Sequence, residues 1–101
     1  MLAVILMGSP SDREVAQQIQ KGLQGYGIPC QVRIASAHKT PRYLLDLLAA
    51  YEADPAPKVY ITIAGRSNAL SGMVDAVVSA PVIACPPYSE KFGGADLYSS
   101  L

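Results

Sequence analysis

The chain has 101 residues, enough for one small domain in which folding buries only about two thirds of the surface of the unfolded chain. Half of the residues are hydrophobic and the mean hydropathy is +0.23, more apolar surface than one small core needs, which predicts self-association. Eight basic and eight acidic side chains give a formal charge of zero, with no basic stripe or charge block, so a nucleic-acid partner lacks its electrostatic attraction.

The first predicted element is a strand, LAVILM at 2–7, followed by the loop GSPSD at 8–12. Ser11 and Glu14 have the spacing of a capping box, and Val15, Ile19 and Leu23 then recur at four-residue steps until Gly25 and Gly27 stop the helix. A second strand, CQVRIA at 30–35, leads into SAHKTP at 36–41, which contains the sole histidine of the chain. Thr40 is an N-cap candidate with Pro41 at the first helical position, and Leu44, Leu45, Leu48 and Tyr51 form the buried stripe of that helix. The third strand, KVYITIA at 58–64, ends in AGRSN at 64–68, where Asn68 can cap a helix carrying Leu70, Met73, Val74, Val77 and Val78, weakened by Gly72. A fourth strand, PVIAC at 81–85, is followed by a Pro- and Gly-rich stretch, PPYSEKFGGADLYSSL.

The first, third and fourth strands are nearly continuous apolar runs, as expected of parallel strands covered on both faces. Strand alternating with helix implies an α/β domain with a parallel sheet, and a flavodoxin-like order 2-1-3-4 is the simplest arrangement. Cys30 and Cys85 lie far apart with no paired thiol or histidine cluster, which argues for core thiols and against a zinc site or a disulfide framework. The apolar run after Met1 is too short for a signal segment and lacks a basic flank. Nothing approaches the ~18 consecutive apolar residues of a membrane span, so a cytoplasmic address is expected.

In a parallel sheet the loops after the strands meet on one edge, and ligands bind at the topological switch point, here between the first and third strands. GSPSD offers Gly8 for a sharp turn, the hydroxyls of Ser9 and Ser11, and helix-mouth amides suited to a phosphate. Asp12 either complements the helix dipole or accepts hydrogen bonds from sugar hydroxyls. His38, between the small Ala37 and the cationic Lys39, is placed for access; Lys39 favours a neutral imidazole, as suits a general base near pH 7. Gly65, Arg66, Ser67 and Asn68 add a turn, a guanidinium and a hydroxyl at a third helix start. A nucleophile elbow built on Gly65, Ser67 and Ala69 with His38 and Asp12 has the wrong partner order for an α/β-hydrolase. A receiver domain needs acidic residues where GSPSD and AGRSN stand.

Together, GSPSD, SAHKTP and AGRSNALSG, with PVIACPP and the closing GGADLYSSL, resemble the 5-aminoimidazole ribonucleotide carboxylase family of purine biosynthesis from Leu2 to Leu101. His38-Lys39 and Gly65-Arg66-Ser67-Asn68 resemble the branch that carboxylates aminoimidazole ribonucleotide directly with CO2. Thr40-Pro41 is the continuation usual in the other branch, the N5-carboxyaminoimidazole ribonucleotide mutases.

The resemblance implies a carboxy-lyase without biotin, ATP, metal or other cofactor. Gly8, Ser9, Ser11, Asp12 and Ser36 would hold the phosphoribosyl part. His38 would move the proton, and Lys39, Gly65, Arg66, Ser67 and Asn68 would complete the substrate site. It further implies a cytoplasmic homo-oligomer, an octamer in the family, with no nucleic-acid or membrane partner. Residues 1–101 would form a single nucleotide-binding domain, without the fifth strand and C-terminal helices with which relatives continue. The alternatives are the mutase reaction and a non-catalytic ribonucleotide-binding module.

Overall fold

A computed structural model describes residues 1–64 and 69–85. Among them, β1 (Leu2–Met7) leads through a single 3-10 turn, Pro10–Asp12, to α1 (Arg13–Gln24), β2 (Cys30–Ile34), α2 (Pro41–Ala53), β3 (Lys58–Ile63), α3 (Ala69–Val77) and β4 (Val82–Ala84). The strands form one sheet in the order β2-β1-β3-β4, with every pairing parallel. This is the doubly wound, flavodoxin-like arrangement expected from the alternation of apolar runs and helical patterns.

The alternation of side chains along β1 divides the core into two layers. Val4 and Leu6 pack with Leu44, Leu48, Tyr60, Leu70 and Val74 beneath α2 and α3. Ala3, Ile5 and Met7 pack with Ala16, Ile61 and Ile63 on the α1 side, where Val15, Ile19 and Leu23 close the layer. Val4, Ile5, Leu6 and Ile63 are wholly buried, and each such aliphatic side chain contributes about 1.5–3 kcal/mol. The ladder Leu2↔Lys58 to Met7↔Ile63 therefore aligns β1 and β3 as the rigid centre of the domain.

Several local expectations need correction. Ser11 does not cap α1: Ser9 caps the preceding 3-10 turn by accepting from the Ser11 backbone amide, and Asp12 occupies the N-cap position of α1 without a side-chain bond. Pro10, whose ring suits a helix start, begins this extra turn two residues early. Leu45 on α2 and Val77 on α3 are exposed, at 42% and 48%, because each lies just off the face that Leu44, Leu48, Leu70 and Val74 direct inward. The β4 strand is shorter than its apolar run, and Ile83 is 53% exposed; at the sheet edge nothing among the described residues covers it. Cys30 and Cys85 are both free and half-buried rather than enclosed.

At the end of α1 the expected glycine stop is observed: Gly25 is the C-cap and Gly27 adopts φ 74°, the left-handed conformation open to glycine. Gly8 differs, because it is not among the positive-φ glycines of the described residues. Its role is space. A Cβ there would meet the Ala64 Cβ at 3.6 Å, the Ile63 carbonyl at 3.7 Å and Leu70 Cδ2 at 3.9 Å.

Candidate functional site

The carboxyl ends of β1, β2 and β3 surround a cleft of about 150 Å³. Gly8, Ser9 and Asp12 enter it from the loop after β1, and Ser36, Ala37 and His38 from the loop after β2. Ala64, at the end of β3, and Leu70, in the first turn of α3, complete the wall. Thus five expected site residues, Gly8, Ser9, Asp12, Ser36 and His38, converge on one cavity. Ser11 approaches it through a partner, with its Oγ 2.9 Å from Ser9 Oγ. Lys39 is exposed and is not among the lining residues. Gly65, Arg66, Ser67 and Asn68, including the proposed cap of α3, lie outside the described residues.

The β1 loop is held by its own backbone. The Gly8 amide donates to the Ile63 carbonyl at 2.9 Å and the Asp12 amide to the Ser9 carbonyl at 3.0 Å, so the turn is anchored to the end of β3. Burial pushes the Asp12 carboxyl above its ordinary value, opposed by the Ser9 backbone amide, which favours the charged form. A half-buried carboxylate beside two hydroxyls can accept hydrogen bonds from a polyhydroxylated ligand.

The β2 loop is held by two side chains. Ser36 Oγ accepts from the backbone amides of His38, at 3.2 Å, and Lys39, at 3.0 Å. Thr40 Oγ1 accepts from the Ser36 amide at 2.9 Å and donates back to the Ser36 carbonyl at 3.3 Å. The Thr40 amide also donates to that carbonyl, at 3.0 Å. His38 therefore stands at the crest of a closed five-residue turn, exposed and facing the cleft without being packed into the core. The sequence pattern marked His38 but not the walls Ala37, Ala64 and Leu70. For Ala37 and Ala64 the signal is smallness after β2 and β3, where bulk would fill the cleft; Leu70, in the first turn of α3, carries no such signal.

The larger concavity, about 680 Å³, lies at the opposite, amino edge of the sheet, among Met1, Glu52, Lys58 and Pro81. Its polar groups are engaged structurally: Lys58 Nζ donates to the carbonyls of Asp54 and Ala56 at 2.6 and 2.7 Å, and Glu52 is bound by Tyr60 and Ser79. The smaller cleft carries the groups suited to chemistry. Among the described residues no three His, Cys, Asp or Glu side chains are grouped to hold a metal, and no helix is long and apolar enough to cross a membrane.

A parallel sheet of order 2-1-3-4 with a polar cleft at its carboxyl edge defines a flavodoxin-like α/β domain with its site at the switch point. The family model described as AIR carboxylase matches residues 2–101, and the chain belongs to that family. It is 55% identical over its whole length to a phosphoribosylaminoimidazole carboxylase of Archaeoglobus fulgidus, of which it covers 55%. It is 56% identical over 99% of its length to the enzyme of that name from Treponema denticola, of which it covers 63%. The crystal structure of Treponema denticola PurE superposes with a TM-score of 0.95, over 98% of this chain and 63% of that one. The chain thus spans somewhat more than half the length of these relatives.

Proposed function

We propose that the protein carboxylates 5-aminoimidazole ribonucleotide with CO2, giving the 4-carboxy product in purine biosynthesis. The observation that carries this reading is the convergence of Ser9 and Asp12 from one loop with Ser36 and His38 from another on a single cleft. The names of the relatives, phosphoribosylaminoimidazole carboxylases, support it. In this reading Gly8, Ser9, Ser11 and Ser36 serve the phosphoribosyl group through hydroxyls and amides, and Asp12 takes the ribose hydroxyls. Gly65, Arg66, Ser67 and Asn68 complete the substrate site from the loop after β3.

Carbon 4 of the aminoimidazole is enamine-like and attacks CO2, forming the carbon–carbon bond. The proton on that carbon must then leave as aromaticity returns, and neutral His38 accepts it. Lys39, with Gly65 and Ser67, stabilises the developing carboxylate, an interaction strengthened where the substrate excludes water. Lys39 after the histidine, and Arg66-Ser67-Asn68 after Gly65, favour direct use of CO2 over the mutase reaction. The protein acts as a cytoplasmic homo-oligomer, consistent with the exposed Tyr43, Leu45, Val77 and Ile83.

The test is incubation with aminoimidazole ribonucleotide and ¹³C-labelled CO2, with the N5-carboxy compound as parallel substrate, following carbon 4 by NMR. Label from free CO2 with the N5-carboxy compound inert is the expected result. Product from the N5-carboxy compound alone would replace the reading by the mutase reaction. Saturable binding of the ribonucleotide without product would leave a binding module.

A further inference from the structure

The hydroxyl of Thr40 is diverted from its ordinary task. Thr40 occupies the N-cap position of α2, where its carbonyl accepts from the Leu44 amide at 3.0 Å, and an N-cap threonine ordinarily binds a first-turn amide, worth about 1 kcal/mol. Here it makes no such bond. Oγ1 turns back and closes on both backbone groups of Ser36, accepting from its amide at 2.9 Å and donating to its carbonyl at 3.3 Å. Ser36 in turn holds the amides of His38 and Lys39 through its own hydroxyl. The chain of contacts runs from the rigid helix start, through Thr40 and Ser36, to the backbone of His38.

We propose that Thr40 is a positioning residue: its hydroxyl clasps Ser36 and so fixes the turn that presents His38 to the cleft. The inference rests on the reading of His38 as the proton-transfer group. His38 is exposed and no described side chain holds its ring, so its aim depends on the turn beneath it. Proton transfer demands heavy-atom separations near hydrogen-bond length, and a displacement of about 1 Å can cost ~100-fold in rate. A clasp made of two hydrogen bonds on one residue restrains such drift at the root of the turn.

The test compares Thr40→Val, which keeps the shape and removes both side-chain bonds, with Thr40→Ser, which keeps the hydroxyl. Two readouts are taken: amide hydrogen exchange at Ser36, His38 and Lys39, and steady-state carboxylation of aminoimidazole ribonucleotide. Thr40→Val is expected to accelerate exchange at these amides and to lower kcat about 10- to 100-fold with KM within a factor of about three, while Thr40→Ser behaves as wild type in both. Unchanged exchange in Thr40→Val overturns the clasp whether or not the chain is active. Faster exchange with unchanged kcat, or a loss that Thr40→Ser does not rescue, overturns the positioning role. A wild-type chain that binds the ribonucleotide without turning it over overturns the carboxylase reading and the catalytic purpose of the clasp, while the exchange data still decide the clasp itself.

Discussion

The Tyr60 hydroxyl donates to Glu52 Oε2 at 2.7 Å, while the other carboxylate oxygen accepts from the Ser79 amide at 2.8 Å and the Ser79 hydroxyl at 3.0 Å. One carboxylate thus joins β3, α2 and the segment between α3 and β4 at the amino edge of the sheet, opposite the cleft. Tyr60 is wholly buried and stands edge-on to Tyr51, with ring centroids 6.4 Å apart at 84°, an arrangement favoured by the ring quadrupoles.

Removing either partner should have unequal consequences. Tyr60→Phe deletes one hydrogen bond to a carboxylate and leaves Glu52 with both Ser79 donors, costing up to about 1.5–3 kcal/mol, the worth of a bond to a charged group. Glu52→Ala deletes that bond and both Ser79 bonds together and leaves the buried Tyr60 hydroxyl unpartnered, so it should cost more. Urea unfolding of the two variants should rank them in that order; a Glu52→Ala chain as stable as wild type would show the junction to be idle.

Acid should act through the same carboxylate. The Ser79 amide, then the Tyr60 hydroxyl, hold the Glu52 carboxyl below its ordinary value of 4.5. Because the folded state binds this proton more weakly than the unfolded state, the stabilisation is complete above about pH 4.5 and is lost as pH falls through the folded value. Glu52→Gln should therefore show a shallower fall in stability below pH 4.5 than wild type. Parallel curves would place the acid sensitivity elsewhere.

Asp12 has the opposite sign. Burial raises its carboxyl above 3.8, so the charged form opposes folding above the folded value, and the opposition eases as pH falls through it toward 3.8. Asp12→Asn should leave the chain as stable as wild type at pH 7 or slightly more so, while weakening ribonucleotide binding about 10- to 100-fold, as expected for loss of a hydrogen bond to a charged group, worth about 1.5–3 kcal/mol. Calorimetric titration and thermal unfolding of one preparation separate the two effects. Loss of stability with retained affinity would make Asp12 a folding residue.

The parallel sheet and the end of α1 were legible because apolar runs such as LAVILM and KVYITI can be buried on both faces, and because Gly25 and Gly27 end a helix by backbone geometry alone. Leu45 and Val77 were misplaced because a stripe of adjacent apolar residues does not say which one faces inward; the partner helix decides. Ser9 displaced Ser11 as the cap because Pro10 begins an extra turn, a choice between two nearby serines that spacing leaves open. His38 stood out as a lone imidazole between small and charged neighbours. Thr40 did not, since a threonine before Pro41 fits a helix cap equally well, and only the direction of Oγ1 distinguishes the two roles.

Gly8 supplies a separate test of cleft shape. Its backbone does not require glycine, and an added Cβ would meet Ala64 and Leu70 at ordinary contact distances of 3.6 and 3.9 Å. Gly8→Ala should fold with a melting temperature within a few degrees of wild type, since Ala loses less backbone entropy than Gly on folding. The methyl group would occupy the wall that Gly8 shares with those two residues, so affinity for the ribonucleotide should fall about tenfold, on the order of the overpacking costs of 1–3 kcal/mol. Unchanged affinity would mean that the ligand does not approach this wall.

His38 carries the sharpest prediction, because no second imidazole can take its place. If it removes the carbon 4 proton, its effect belongs to the transition state, and His38→Asn should lower kcat by about 10²- to 10⁴-fold while KM changes little. Asparagine keeps a polar side chain of similar reach, and the hydrogen bond from the residue 38 amide to Ser36 Oγ involves only backbone, so the turn should survive. Exchange of the carbon 4 proton of aminoimidazole ribonucleotide with deuterated water gives an independent readout. Slow exchange in the variant at saturating nucleotide would place His38 at the proton, whereas equal losses in kcat/KM and binding, with exchange retained, would reduce it to a ligand contact.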